Sequence, residues 1–351
     1  MSLRDPNSII LFGGTSDEAR VSVASAQNLA RTLVGARLWF WALDGAVHEI
    51  DRPELETHAD AFTKDFVPAG DSRYPDLDSA FAELRADQVV FLAVHGGEGE
   101  NGGVQRRLEA GRAAFTGSDA GASARAFDKN EAKRIVAAKG IRVAVGTSLN
   151  PELGDCSETL KTLLEKHRDL ILKPVAGGSS IGLFRLKAET DISAVVPELK
   201  KKKVLYLAEP FLTGREFTVG VADLGHGAKA LPPSEVRLEA GANFDYEGKY
   251  LGRHSTEITP AQIPDSLTTS LQEVALKSHE ALGCFGYSRT DLIVTPEGQV
   301  YFIELNTLPG LTGASFIPQQ LQAAGVPFEA FVSAQLSQAR GRRASSTRRA
   351  G

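Results

Sequence analysis

The sequence predicts an α/β domain followed by α+β units, and three observations carry that expectation. Apolar strands alternate with helical periodicity through the first third of the chain. A glycine-serine turn separates two strands near residue 180, and the segments beyond 210 are rich in β patterning. Strand alternating with helix implies a mainly parallel sheet covered on both faces.

The elements follow in order. Residues 9–14 (IILFGG) read as a buried strand ending in a glycine turn, and Val21, Val23, Ala26, Leu29 and Leu33 recur at helical spacing. A strand at 37–43, a helix near 77–85 and a strand at 88–94 complete the first unit. Ligands of such a sheet gather at the carboxyl ends of its strands, where Gly13-Gly14 and His95-Gly96-Gly97 fall. Two short helices over 119–139 then lead to strands at 170–175 and 181–187, with Ala176-Gly177-Gly178-Ser179-Ser180 between them. A helix near 190–200 and a strand at 203–209 close this unit. Strands at 215–223, 228–239, 287–295 and 299–305 follow, crossed by a helix at 266–282. The resulting division is 1–118, 119–209 and 210–338. The basic, polar end GRRASSTRRAG offers no core-forming residue, so 339–351 is expected to be a disordered tail.

Composition bounds the function. The 351 residues are 42% apolar and 24% charged with a net charge of −5, as in a soluble globular protein with no call for nucleic acid. The opening Met-Ser-Leu-Arg-Asp-Pro lacks a charged region followed by an apolar one, and no apolar run is long enough to span a membrane. Cys156 and Cys284 match no metal spacing, which suits a reducing cytoplasm. The run Lys200–Lys203 reads as a solvated helix end.

The chemistry concentrates in YSRTDLIVTPEGQVYFIELNTLPG, a hairpin turning at Pro296-Glu297-Gly298. Residues two apart share a strand face, so Arg289 pairs with Asp291, and Glu304 with Asn306. A loop of two or four residues would bring all four to one side, and a loop of three would separate the pairs. Facing carboxylates repel unless a cation compensates, and a hard divalent ion with phosphate oxygens is the natural one. A surface salt bridge on a polar face is the plainer alternative, but Leu292, Val294, Phe302 and Ile303 leave little of this hairpin to water.

Other signals are weaker alone. Lys173 precedes the Gly177-Gly178 turn, which could cradle a phosphate with backbone N–H groups or be a plain hairpin. The spacing of a Walker A loop is absent. Gly97-x-Gly99-x-x-Gly102 matches a dinucleotide fingerprint but follows a late strand. It is the sole support for a nicotinamide-dependent dehydrogenase, which leaves the acidic hairpin unexplained. Glu18 could cap a helix or receive a substrate ammonium, and His95 is either structural or a ligand group.

Together these motifs make the chain resemble the D-alanine–D-alanine ligases of the ATP-grasp superfamily. The matching stretches run in order: GGTSDEARVS (13–22), HGGEGENG (95–102), DKNEAK (128–133), LKPVAGGSSIG (172–182), GREFTVGV (214–221), FDYEGKY (244–250), SRTD (288–291) and IELNTLPGLTGASFIP (303–318). The resemblance implies three domains, with nucleotide between the second and third. It implies transfer of the γ-phosphoryl of ATP to one D-alanine, and attack by the amine of a second. By the same resemblance Lys129 and Lys173 bind the ATP phosphates, while Glu209, Leu212 and Glu216 hold adenine and ribose. Asp291, Glu304 and Asn306 hold two Mg²⁺ or Mn²⁺ ions. Glu18 receives the first D-alanine's ammonium, with His95 near its carboxylate. Arg289 and the N–H of Gly310 stabilise the oxyanion, and Ser315, followed by Phe316, holds the second substrate. Lys249 and Tyr250 belong to a lid, with Tyr250 reaching Ser179 and Glu18. A cytoplasmic homodimer is implied as well.

Four positions depart from the pattern: Pro210 where many relatives carry lysine, Gly177 in place of a glutamate, Phe316 in place of leucine or methionine, and His254 in the lid. The last two keep D-serine or D-lactate open as the acceptor, whereas Tyr250 favours an amine. A nucleotide-binding protein without catalysis is disfavoured, because no catalytic position of the pattern is lost.

Overall fold

The computed structural model describes residues 3–178, 182–238 and 255–349. Its first sheet has the strand order Val47–Ile50, Arg37–Trp41, Ser8–Gly13, Val89–Leu92, Ala114–Phe115, parallel throughout except at the Val47–Ile50 edge. All residues of Ser8–Gly13 and Val89–Leu92 are buried, as central strands covered on both faces must be. The helix Ala19–Thr32 packs on the first of them and buries Val21, Val23, Ala26 and Leu29.

The central sheet is antiparallel, in the order Phe184–Lys187, Asp169–Pro174, Tyr206–Pro210, Thr147–Leu149. The helices Cys156–His167 and Ile192–Lys202 cover it with Leu160, Leu164, Val196 and Leu199. The first of these helices and the short strand Thr147–Leu149 were not anticipated.

The third large sheet runs Ser255–Ile258, Ser234–Leu238, Arg215–Asp223, Tyr287–Val294, Val300–Asn306, with Ala228–Ala230 beside Arg215–Asp223. The helices Lys129–Ala137 and Asp265–Leu282 bury Val136, Leu271 and Ala275 against Phe217, Val219 and Phe302. That leaves the sheet's opposite face, carrying Thr218 and Asp291, open toward the central sheet.

The expectation of a disordered tail from residue 339 is corrected. The last helix runs from Phe328 to Arg349, and Ala339 is fully buried. Arg340 bonds Asp5, while Arg342 donates to the carbonyls of Phe115 and Gly117 at 2.8 and 2.9 Å. The Arg342 guanidinium also lies over the rings of Phe115 and Phe285. Arginine buries its stem and planar head where aromatic faces and carbonyls await it, a fit that composition does not register.

Candidate active site

The acidic hairpin reaches its geometry by an unexpected route. Residues 295–299 join its strands, an odd number, and Val294, Ile293 and Leu292 pair with Val300, Tyr301 and Phe302. Continued regularly, that ladder would set Glu304 opposite the fully buried Thr290. A β-bulge at Ile303 shifts the register instead, so Asp291 faces Glu304 and Arg289 faces Asn306. All four side chains come to one face, and Ile303 joins them on the cleft side.

Cationic side chains hold the opposed carboxylates in check. Arg289 binds Asp291 through two bonds of 2.9 Å, and Thr218 donates to the same carboxylate at 2.7 Å. Lys129 lies 3.3 Å from Glu304 and donates to the carbonyl of Gly177 at 2.6 Å. Asn306 accepts from the N–H of Leu308 and donates to Glu100. Two opposed carboxylates and an amide oxygen are hard donors of the kind magnesium takes. Among the described residues no group of three His, Cys, Asp or Glu side chains could hold a metal. Phosphate oxygens would therefore complete the coordination, and the donor set fits the ion on those terms.

Two pockets meet at this hairpin. The larger opens between the central and C-terminal sheets, with Ile171, Phe211, Leu212, Leu292 and Ile303 as apolar walls and Glu216 among its polar lining. Deep inside it Glu209 is bound by both Lys133 and Lys173, the latter at 2.6 Å. Burial opposes the Glu209 charge, but the two ammonium groups outweigh it and hold its carboxyl below the ordinary range. Arg185 lies 3.6 Å above the Phe211 ring at the same cleft.

The smaller pocket is lined by Glu18, Glu100, Arg289, Asn306 and Gly178. Glu18 heads the helix Ala19–Thr32 without capping it through its side chain, which removes the plainer of its two readings. Glu100 was missed in the sequence, although it sits in the HGGEGENG stretch; burial, then the Glu18 carboxylate, push its carboxyl up to about 8. The dinucleotide-like glycines open the short helix Gly97–Glu100 beside this pocket. Lys129, Gly177, Gly178 and Glu304 line both pockets.

His95 is buried and bonded through both ring nitrogens. Its Nδ1 meets the carbonyl of Leu308 at 2.8 Å, and its Nε2 meets Ser25 Oγ, which also accepts from the N–H of Leu311. Both ring nitrogens are thus used within the protein, and burial lowers the ring's pKa, so a neutral imidazole ties the loop around Gly310 to the first sheet. An added Cβ at Gly310 would lie 2.8 Å from Ser315 Oγ, which Thr312 also bonds. Phe316 is buried, with the Arg289 guanidinium 5.9 Å from its ring centre. Beyond the sequence reading, Glu257 joins this end by accepting a bond from Gln319 at 3.1 Å, and burial raises its pKa. Ser179, Lys249, Tyr250 and His254 lie outside the described residues.

Comparison with known proteins places this geometry in context. The family model described as D-ala D-ala ligase N-terminus matches residues 7–118, and that of the D-ala D-ala ligase C-terminus matches residues 155–337. A D-alanine--D-alanine ligase of Leptospira interrogans is 34% identical over 337 residues, covering 91% of this chain and 94% of the relative. The D-alanine-D-alanine ligase structure from Coxiella burnetii superposes with a TM-score of 0.80 at 27% identity, over 99% of this chain and 96% of that one. A Bacillus anthracis D-alanine--D-alanine ligase complexed with ATP has the same fold, with a TM-score of 0.70 at 24% identity over 99% of each chain.

Proposed function

The chain belongs to the D-alanine–D-alanine ligase family, and on that premise we propose that it joins two D-alanines while converting ATP to ADP and phosphate. One observation carries the assignment of the site. Lys129, Glu304, Gly177 and Gly178 line both the large cleft and the small acidic pocket, so a phosphoryl group leaving one can reach a carboxylate in the other.

In this reading residues 1–118, 119–209 and 210–338 are the three domains, with ATP between the second and third. The base lies between Ile171, Phe211 and Leu212, with Glu209 and Glu216 toward adenine and ribose. Lys129 and Lys173 hold the phosphates. Asp291, Glu304 and Asn306 would hold two Mg²⁺ ions, which would supply positive charge to offset that of the phosphates during transfer. The first D-alanine rests its ammonium on Glu18. Its carboxylate takes the γ-phosphoryl group, and the amine of the second, held by Ser315 beside Phe316, attacks the acyl phosphate. Arg289 and the N–H of Gly310 receive the developing oxyanion, and phosphate departs. His95 lies near the first D-alanine's carboxylate and, as a neutral imidazole, braces the Gly310 loop. Cytoplasmic location and a homodimer belong to the same reading; no helix among the described residues is long and apolar enough to cross a membrane.

The test is ADP and phosphate release with D-alanine, D-serine and D-lactate as acceptors, the product identified by mass. D-alanyl-D-alanine is the expected product. Strict dependence on D-lactate would overturn the acceptor while leaving the phosphoryl chemistry standing.

A further inference from the structure

Behind Glu209, which lines the large cleft, lies Lys133, a charged group for which the proposed reaction has no task. Lys133 lies one turn beyond Lys129 on the helix Lys129–Ala137 and bonds Glu209 Oε1, while Lys173 binds Glu209 Oε2 at 2.6 Å. Lys133, Lys173 and Glu209 are only 5%, 6% and 2% exposed. A carboxylate so deep requires a partner, and a single lysine would satisfy that need. Two are present, and two buried ammonium groups side by side repel.

The redundancy acquires a purpose when a nucleotide arrives. Lys173 adjoins the Gly177-Gly178 turn, and a polyphosphate in the cleft competes with Glu209 for its ammonium. Were Lys173 the sole partner, turning to phosphate would strand a buried carboxylate, and binding would be weak. We infer that Lys133 is the standing counter-ion of Glu209, a positioning residue that lets Lys173 move from Glu209 to the nucleotide phosphates. The inference rests on the reading of this cleft as the ATP site and of Lys173 as a phosphate ligand.

A linked proton follows. Burial, then the charge of Lys173, lowers Lys133 to about 7 against the pull of Glu209. The charged groups facing it are Glu209 from Tyr206–Pro210 and Lys173 from Asp169–Pro174. Lys129 on its own helix is directed to Gly177 and Glu304. As Lys173 moves to phosphate its repulsion weakens and negative charge enters, so the Lys133 pKa rises and binding takes up a proton from solvent. Near pH 7 binding therefore takes up a fraction of a proton, and nucleotide affinity falls as pH rises above that value.

Calorimetric titration of the full chain with magnesium and a non-hydrolysable ATP analogue, without D-alanine, tests this in two buffers of different ionisation enthalpy at pH 7. Wild type should take up measurably more protons than Lys133→Arg, which keeps a permanent charge and affinity within about threefold. Lys133→Met should bind at least about tenfold more weakly. Equal proton uptake in wild type and Lys133→Arg, or wild-type affinity in Lys133→Met, overturns the inference. Lys173→Met separates the two levels: if it too binds normally, the phosphate reading of Lys173 has failed, whereas if it alone weakens binding, only the role of Lys133 has. Should either Lys133 variant not fold, wild-type affinity measured from pH 6 to 8.5 decides, and a flat profile refutes.

Discussion

The Glu304→Gln substitution distinguishes a metal ligand from a structural ion pair by the sign of its effect on ATP binding. Glu304 lies 3.3 Å from the Lys129 ammonium, with the two side chains 25% and 9% exposed. At an effective dielectric of about 20, a pair at that distance has a Coulomb energy of about 5 kcal/mol, and solvent at the part-exposed carboxylate reduces it to about 1–2 kcal/mol. Neutralising Glu304 releases Lys129 toward the phosphates, so metal-free ATP, measured with a chelator, should bind about five- to thirtyfold more tightly. In magnesium the same change removes a ligand, and ADP release should fall by about a thousandfold or more. Calorimetry in chelator and a coupled ADP assay across magnesium concentrations give the two readouts. Turnover at the wild-type level with unchanged magnesium dependence would falsify the metal assignment, and unaltered affinity in chelator would remove the Lys129 argument.

Three further outcomes are expected. Arg289→Lys loses the two-bond grip on Asp291 and the planar donor facing the oxyanion; kcat should drop about a hundredfold with little change in KM for ATP, and an unchanged kcat would refute the role. Burial holds the Glu257 carboxyl above its ordinary range, so the stability it contributes is present below the unfolded pKa and lost as pH rises through the folded one. Glu257→Gln should therefore melt higher than wild type at pH 8 and not at pH 4; the reverse order contradicts the burial argument. Arg342→Ala removes two carbonyl bonds and the stack on Phe115 and Phe285, and urea unfolding should show a loss of about 2–4 kcal/mol. A loss under about 0.5 kcal/mol would mean the last helix is not anchored there.

Legibility divided along physical lines. Central strands such as Ser8–Gly13 and Val89–Leu92 were readable because burial on both faces forces continuous apolar runs. The helix Cys156–His167 escaped notice because its apolar contribution to the core is narrow, resting on Cys156, Leu160 and Leu164. Glu100 and Glu257 were missed because a lone acid in sequence looks solvated; only the packed structure reveals that Glu100 is buried and Glu257 half-buried. The last helix was misjudged for the opposite reason, since Arg342, which looks like part of a solvated tail, is fastened to carbonyls and rings.

The hairpin shows how a site can be legible while its geometry is not. Alternation within each strand places Arg289 with Asp291, and Glu304 with Asn306, whatever the loop does. Whether the pairs meet depends on parity, and the intervening residues 295–299 have the wrong parity for a regular ladder. Regular pairing would place Glu304 on the face packed by Val136 and Leu271, where an unpaired carboxylate costs several kcal/mol. One unpaired residue costs far less than that, so the ladder yields at Ile303, whose side chain then gains an apolar place in the cleft wall. The same balance predicts that deleting Ile303 would preserve the Asp291–Glu304 pairing while removing part of the cleft wall, because the bulge accommodates that one residue and nothing else in the register depends on it.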